Sequence, residues 1–281
     1  MLRYKRPHQH ASINYETCGR WRAGSRAGVV AAMVSYGKPP IIEAIFEARF
    51  TTGSWASVQT SYEIFSALKT DYPGEPRLLH SNGFEIVQGD DKDPTPSIRL
   101  KSEDSRYRLT AVDGTCLVQY NKQMLSVHVT APYGGWPDFR HRITKALSVY
   151  IEKAQPQAIS RMSLRYINQI EFQLSSSINL NDYFTNPPDI PDQVGVSIGA
   201  FFMRLETHMP DRPIRIVQSF ASTSGGLPGV LLDLDVIKEQ DIAKPRVNQQ
   251  LLKDIDHLRD VERLTFEALI TDKLRETFDA D

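Results

Sequence analysis

Between Ile41 and Phe50 the chain alternates without a slip: Ile42, Ala44, Phe46, Ala48 and Phe50 fall on one face, with Glu43, Glu47 and Arg49 on the other. A period of two throws successive side chains to opposite faces of an extended backbone, so this stretch is a strand with one apolar and one polar face. Lys38-Pro39-Pro40 ahead of it withholds amide donors and fixes where pairing starts. Residues 159–174 repeat the pattern at greater length. Met162, Leu164, Tyr166, Ile170, Phe172 and Leu174 share a face broken only by Asn168, and Arg161, Ser163, Arg165, Gln169 and Glu171 lie opposite. Two such strands commit the chain to a sheet that is apolar on one side.

The remaining segments supply more strands and a few helices. A helix is expected over 57–70, closed by Tyr72-Pro73-Gly74. Strands follow at 77–87, 97–102, 106–112, 115–121 and 125–130, with Asp113-Gly114 as a two-residue hairpin signal. Trp136-Pro137-Asp138 opens a helix whose stripe is Phe139, Ile143, Leu147, Tyr150, Ile151 and Ala154, and Pro156 ends it. Further strands are expected at 196–209, 214–221 and 229–238, the last two joined by the glycine-rich run 225–229. Residues 247–278 read as helical, with a bend near Arg263 where the apolar register shifts. The order strand, helix, strands, helix occurs twice and divides near Pro156. The expected fold class is therefore α+β, a mainly antiparallel sheet with helices packed on one side, built as two related halves, 36–156 and 157–281.

Composition narrows the functional classes. Among 281 residues, 41% are hydrophobic and 24% charged, which excludes a collagen-like or wholly disordered chain. Cys18 and Cys116 are too few for a disulfide scaffold, in keeping with a reducing, cytoplasmic setting. No apolar run approaches the roughly 18 residues of a spanning helix. Residues 1–32 stand apart: six basic side chains face one acid, Glu16, leaving 27 basic and 33 acidic groups in the remainder. This tail is expected to be disordered, and its readings are translation truly starting at Met33, a basic arm, or a targeting segment. The acidic body argues against a nucleic-acid partner.

Candidate sites lie on the polar strand faces. Asp233 and Asp235, two apart on a strand, point to one side and could hold a divalent ion with a phosphate-bearing ligand, or pair with cations across the sheet. Arg161 and Arg165 share a face and suit phosphate or carboxylate, or acids such as Asp233 and Glu43 on neighbouring strands. Asn168, on an apolar face, is expected to tie itself to backbone. Arg204, Glu206 and His208 form a further polar face. Should these faces curve inward they would line a groove like that of triphosphate-handling tunnel enzymes, although Glu43 and Glu47 depart from those enzymes' Glu-x-Glu-x-Lys spacing. No nucleophile elbow, phosphate-binding glycine loop or paired-histidine zinc motif is present, so no catalytic residue, cofactor or metal site is assigned.

Four segments occurring in order carry a resemblance: Lys38-Pro39-Pro40-Ile41-Ile42-Glu43-Ala44, Leu164-Arg165-Tyr166-Ile167-Asn168, Leu232-Asp233-Leu234-Asp235, and the run from Phe266 to Leu274. Together they resemble a sporadically distributed family of uncharacterised prokaryotic proteins, over roughly residues 35–278. The resemblance brings no assigned activity, cofactor or catalytic residue. Scattered occurrence of that kind implies an accessory or defence-type gene. The sequence reading is thus a non-enzymatic interaction or regulatory protein with a protein partner or self-association and no membrane. The alternative is a metal-dependent phosphohydrolase or nucleotide-binding protein using Arg161, Arg165, Asp233, Asp235 and Glu43.

Overall fold

Strands β1 (Ile41–Thr51) and β6 (Ala158–Glu171), the two best-patterned segments, lie side by side and antiparallel at the middle of the sheet. The computed structural model describes residues 36–55, 57–87, 97–172, 178–190, 195, 198–223 and 228–279. The expected tail, residues 1–32, lies outside them, as does most of the 225–229 run. The other strands are β2 (Arg77–Val87), β3 (Ser97–Thr110), β4 (Cys116–Asn121), β5 (Met124–Thr130), β7 (Phe202–His208), β8 (Ile214–Ser222) and β9 (Gly229–Ala243). Among the described residues they form one nine-stranded antiparallel sheet in the order β2-β3-β4-β5-β1-β6-β9-β8-β7. Each half is one strand followed by a meander whose last strand returns beside the first: β5 against β1, and β9 against β6. Among the described residues β2 and β7 stand at opposite edges and do not pair with each other, so these strands form an open sheet and not a tunnel.

Among the described residues there are four α-helices: α1 (Ser57–Leu68), α2 (Trp136–Ala154) and α3 (Gln249–Leu269) supply residues to the core on the apolar face, and α4 (Asp272–Asp279) stacks Phe278 on Phe266 of α3. α2 has Pro137 in its first turn and ends on Gln155 in the left-handed region, φ 45°, just before Pro156. The Asn248 side chain caps α3 by accepting from the Leu251 N–H at 2.9 Å. Ala44, Phe46 and Ala48 of β1 share one buried cluster with Leu164 and Tyr166 of β6. Phe139, Ile143 and Leu147 of α2 and Leu251, Ile255 and Leu258 of α3 complete it. Tyrosine hydroxyls are satisfied within it: Tyr120 donates to Ser61 O and Tyr150 to Asn121 O, both at 2.9 Å. Asn168 donates to Leu232 O at 3.1 Å, the backbone tie its position demanded.

Several boundaries differ from the sequence reading. The two strands expected at 97–102 and 106–112 are one strand, β3, because the polar residues between them sit in the β2 ladder. Asp113-Gly114 makes a wider turn than two residues. Ala111 N–H pairs with Cys116 O, and Gly114, at φ 74°, donates back to Ala111 O. The strand expected from 196 begins at Phe202. α3 continues unbroken past Arg263 and stops at Ile270, which leaves the helix to bridge Phe184. The long helix thus ends where its backbone finds an extended partner.

Candidate charged concavity

The face of the sheet opposite the helices carries the charges that period two placed there. Register aligns them into rows across the strands. One runs His128, Ile45, Arg165, Asp235, Val217, Glu206; the next runs Thr130, Glu43, Ile167, Asp233, Ser219, Arg204. Over β6, β9, β8 and β7 these rows enclose a half-open concavity of about 360 Å³ lined by Arg161, Arg165, Arg204, Arg215, Val217, Ser219, Asp233, Asp235 and Ile237. Four of the five residues singled out by sequence meet there. Glu43 does not: it lies on the far side of β6 and accepts from His128 Nδ1 at 2.8 Å.

The ion pairs inside the concavity are unequal. Arg165 grips Asp233 with both arms, Nε to Oδ1 at 2.7 Å and Nη2 to Oδ2 at 2.6 Å. Arg161 donates to Glu47 Oε1 at 2.6 Å and holds Asp235 only at 3.6 Å. Arg215 spans Glu206 at 3.1 Å and Glu239 at 2.9 Å. Arg204 lies 3.6 Å from Glu206, too far for a hydrogen bond, and its side chain is more than half exposed. Asp235 is the strained member: its Oδ1 is buried with no hydrogen-bond partner. Burial pushes its carboxyl up to about 6, against the pull of Arg161 and Arg165.

These contacts decide what the site can do. Both Asp233 oxygens are engaged by Arg165, and burial disfavours the charged form of Asp235, so of the two readings of this pair, a divalent-ion site or ion pairing across the sheet, the contacts support the second. Among the described residues no three His, Cys, Asp or Glu side chains come together as ligands. The lining instead presents four guanidinium groups against two carboxylates. Each guanidinium offers five N–H donors, more than its present partners consume, and planar oxyanions fit that fork. The lining includes no aromatic ring on which a base could stack.

A second polar chain runs on β5 and β1. Ser126 Oγ lies 2.9 Å from His128 Nε2, and His128 Nδ1 lies 2.8 Å from Glu43. The hydrogen bond from His128 is the main force holding the Glu43 carboxyl below its usual range. A carboxylate only accepts, so Nδ1 carries a proton; in the neutral ring Nε2 then accepts from Ser126. The order serine, histidine, glutamate is that of an activated nucleophile, but the surroundings differ from one. β5 is paired on both sides, which commits its amides to the ladders and leaves none to stabilise an oxyanion. Ser126 is buried and lines neither the arginine concavity nor the apolar groove between the β7–β8 turn and α3.

Sequence reasoning missed Arg215, Ser126 and His128. Arg215, Val217 and Ser219 alternate visibly, but only the strand order β6-β9-β8 brings Arg215 into the same concavity as Asp235. Ser126 and His128 are two apart on a short strand, a spacing that signals nothing until β1 brings Glu43 alongside. No family model matches the chain, and no curated protein matches it either. Geometry therefore carries the functional reading.

Proposed function

We propose that this chain is a non-enzymatic recognition protein that holds an acidic group of its ligand, a phosphate or a carboxylate, in the arginine concavity. One observation carries the reading: Arg161, Arg165, Arg204 and Arg215 converge on a single hollow whose two lining carboxylates are one tied down and one pushed toward neutrality. Charge-assisted bonds from guanidinium to a dianion are among the strong hydrogen bonds available to a protein. With no aromatic ring in the lining, a compact anion suits the space better than a nucleobase. Such a role fits an accessory or regulatory protein acting in the cytoplasm. Among the described residues no helix is long and apolar enough to cross a membrane.

The test is a titration of inorganic phosphate, pyrophosphate and citrate at low ionic strength. Thermal shift and calorimetry would be read on the wild type and on Arg204→Ala/Arg215→Ala. One site per chain, weakened by salt and by at least about tenfold in the double variant, supports the proposal. Absence of saturable binding for all three anions, or binding that the double variant retains in full, overturns it.

A further inference from the structure

β7 is an edge strand, and among the described residues it pairs only with β8. All of its residues except Met203 are exposed, Phe202 at 71% and Leu205 at 37%. Ser222 N–H donates to Phe201 O, and Met209 N–H donates to Ile214 O. Odd-numbered residues therefore turn their backbone groups toward β8. Antiparallel alternation then leaves the N–H and C=O of Phe202, Arg204, Glu206 and His208 pointing outward. A row of unpaired donors and acceptors of this length is a template for another strand.

The sequence of that row chooses the strand. We infer that two copies of this chain join through β7, antiparallel, about a two-fold axis at Leu205. Only registers that oppose even-numbered residues match outward groups to outward groups. Centring on Arg204 sets that arginine against its own copy, and centring on Glu206 does the same for the glutamate; like charges directly opposite are unfavourable. Centring on Leu205 sets Arg204 against the partner's Glu206 and Glu206 against the partner's Arg204. Phe202 then faces the partner's His208, and the two Leu205 side chains meet on the helix-side face. The contact is isologous and closes at two copies. The axis stands perpendicular to the sheet, so both charged faces lie on one side of a continuous surface. Because Arg204 lines the concavity, the partner's Glu206 enters its rim, and the second copy contributes a residue to the site. The inference stands on β7 alone and does not require that the concavity bind an anion.

Sedimentation velocity of the full chain from about 1 to 100 μM tests it. The expected result is a reversible dimer that weakens with salt. Arg204→Glu and Glu206→Arg, each placing like charges opposite one another, should each raise the dissociation constant at least tenfold. The double swap Arg204→Glu/Glu206→Arg should restore the dimer, and mixing the two single variants should give a heterodimer. A wild type that stays monomeric throughout, or a dimer indifferent to the single reversals, overturns the inference.

Discussion

Asp235 is pulled two ways. Arg161 and Arg165 favour its charge, while burial, with Asp233 and Glu47 nearby, opposes it more strongly. Its folded-state value, about 6, lies above the ordinary 3.8, so the fold prefers the neutral acid. That contribution to stability is full below the ordinary value and is lost as pH rises through about 6. Asp235→Asn should therefore gain about 1–2 kcal/mol over wild type near pH 7.5 and much less near pH 4, read by denaturant unfolding at both pH values. Glu43 has the opposite sign: its lowered carboxyl adds stability above 4.5 that is lost as pH falls. Asn168, 2% exposed, was legible as a buried amide needing backbone, and its partner proved to be Leu232 O. Asn168→Leu leaves that carbonyl short of a donor and should cost about 1–3 kcal/mol in the same assay. What the sequence hid at this scale was which charge meets which. The register sets Arg165 opposite Asp235 and Arg161 opposite Arg49 and Glu239, yet Arg165 takes Asp233 and Arg161 takes Glu47, each a diagonal neighbour one step along the ladder.

At the scale of elements, α3 is tied to the sheet by charge as well as by its apolar stripe. Arg140 of α2 clasps Asp256 at 2.6 and 2.9 Å, and Lys238 of β9 meets Asp254 at 3.0 Å. Deeper in, Glu262 is 3% exposed and pairs with Arg259, whose guanidinium lies 4.8 Å over the Tyr166 ring; Tyr166 in turn bonds Tyr133 at 2.9 Å. Burial raises the Glu262 carboxyl from 4.5 to about 7, against the pull of Arg259. Stability from this group is full below 4.5 and lost as pH rises through about 7. Glu262→Gln should flatten the unfolding profile across that window, whereas Glu262→Ala, stranding Arg259, should cost about 3 kcal/mol. Between β1 and α1, a Cβ on Gly53 would overlap the Gln155 backbone carbonyl. Gly53→Ala must displace the end of α2 and should lower stability by about 3 kcal/mol, seen as a lower thermal midpoint. Element types were legible because apolar periods of 2 and 3.6 are local. The stop of α3 at Ile270 was not, since the bridge partner Phe184 lies 86 positions earlier.

Among the described residues a single sheet is clad by helices on one face and charged on the other. The topology has one strand and a returning meander on each side of the β1–β6 seam. Strand order was beyond the sequence, because alternation marks faces and not neighbours. That order turns scattered charges into a hollow with four arginines, and it leaves β7 at an edge with its arginine and glutamate self-complementary. The central claim is that this hollow takes an anion and that Asp235 sets how strongly. Calorimetric titration of sulfate, whose charge is constant across the range, at about pH 5 and about pH 7.5 reads it most directly. Loss of the Asp235 charge at the lower pH should tighten binding by about tenfold in the wild type. In Asp235→Asn that difference should disappear, leaving the tighter value at both pH values. No binding at either pH, or a pH dependence that survives in Asp235→Asn, would contradict the account.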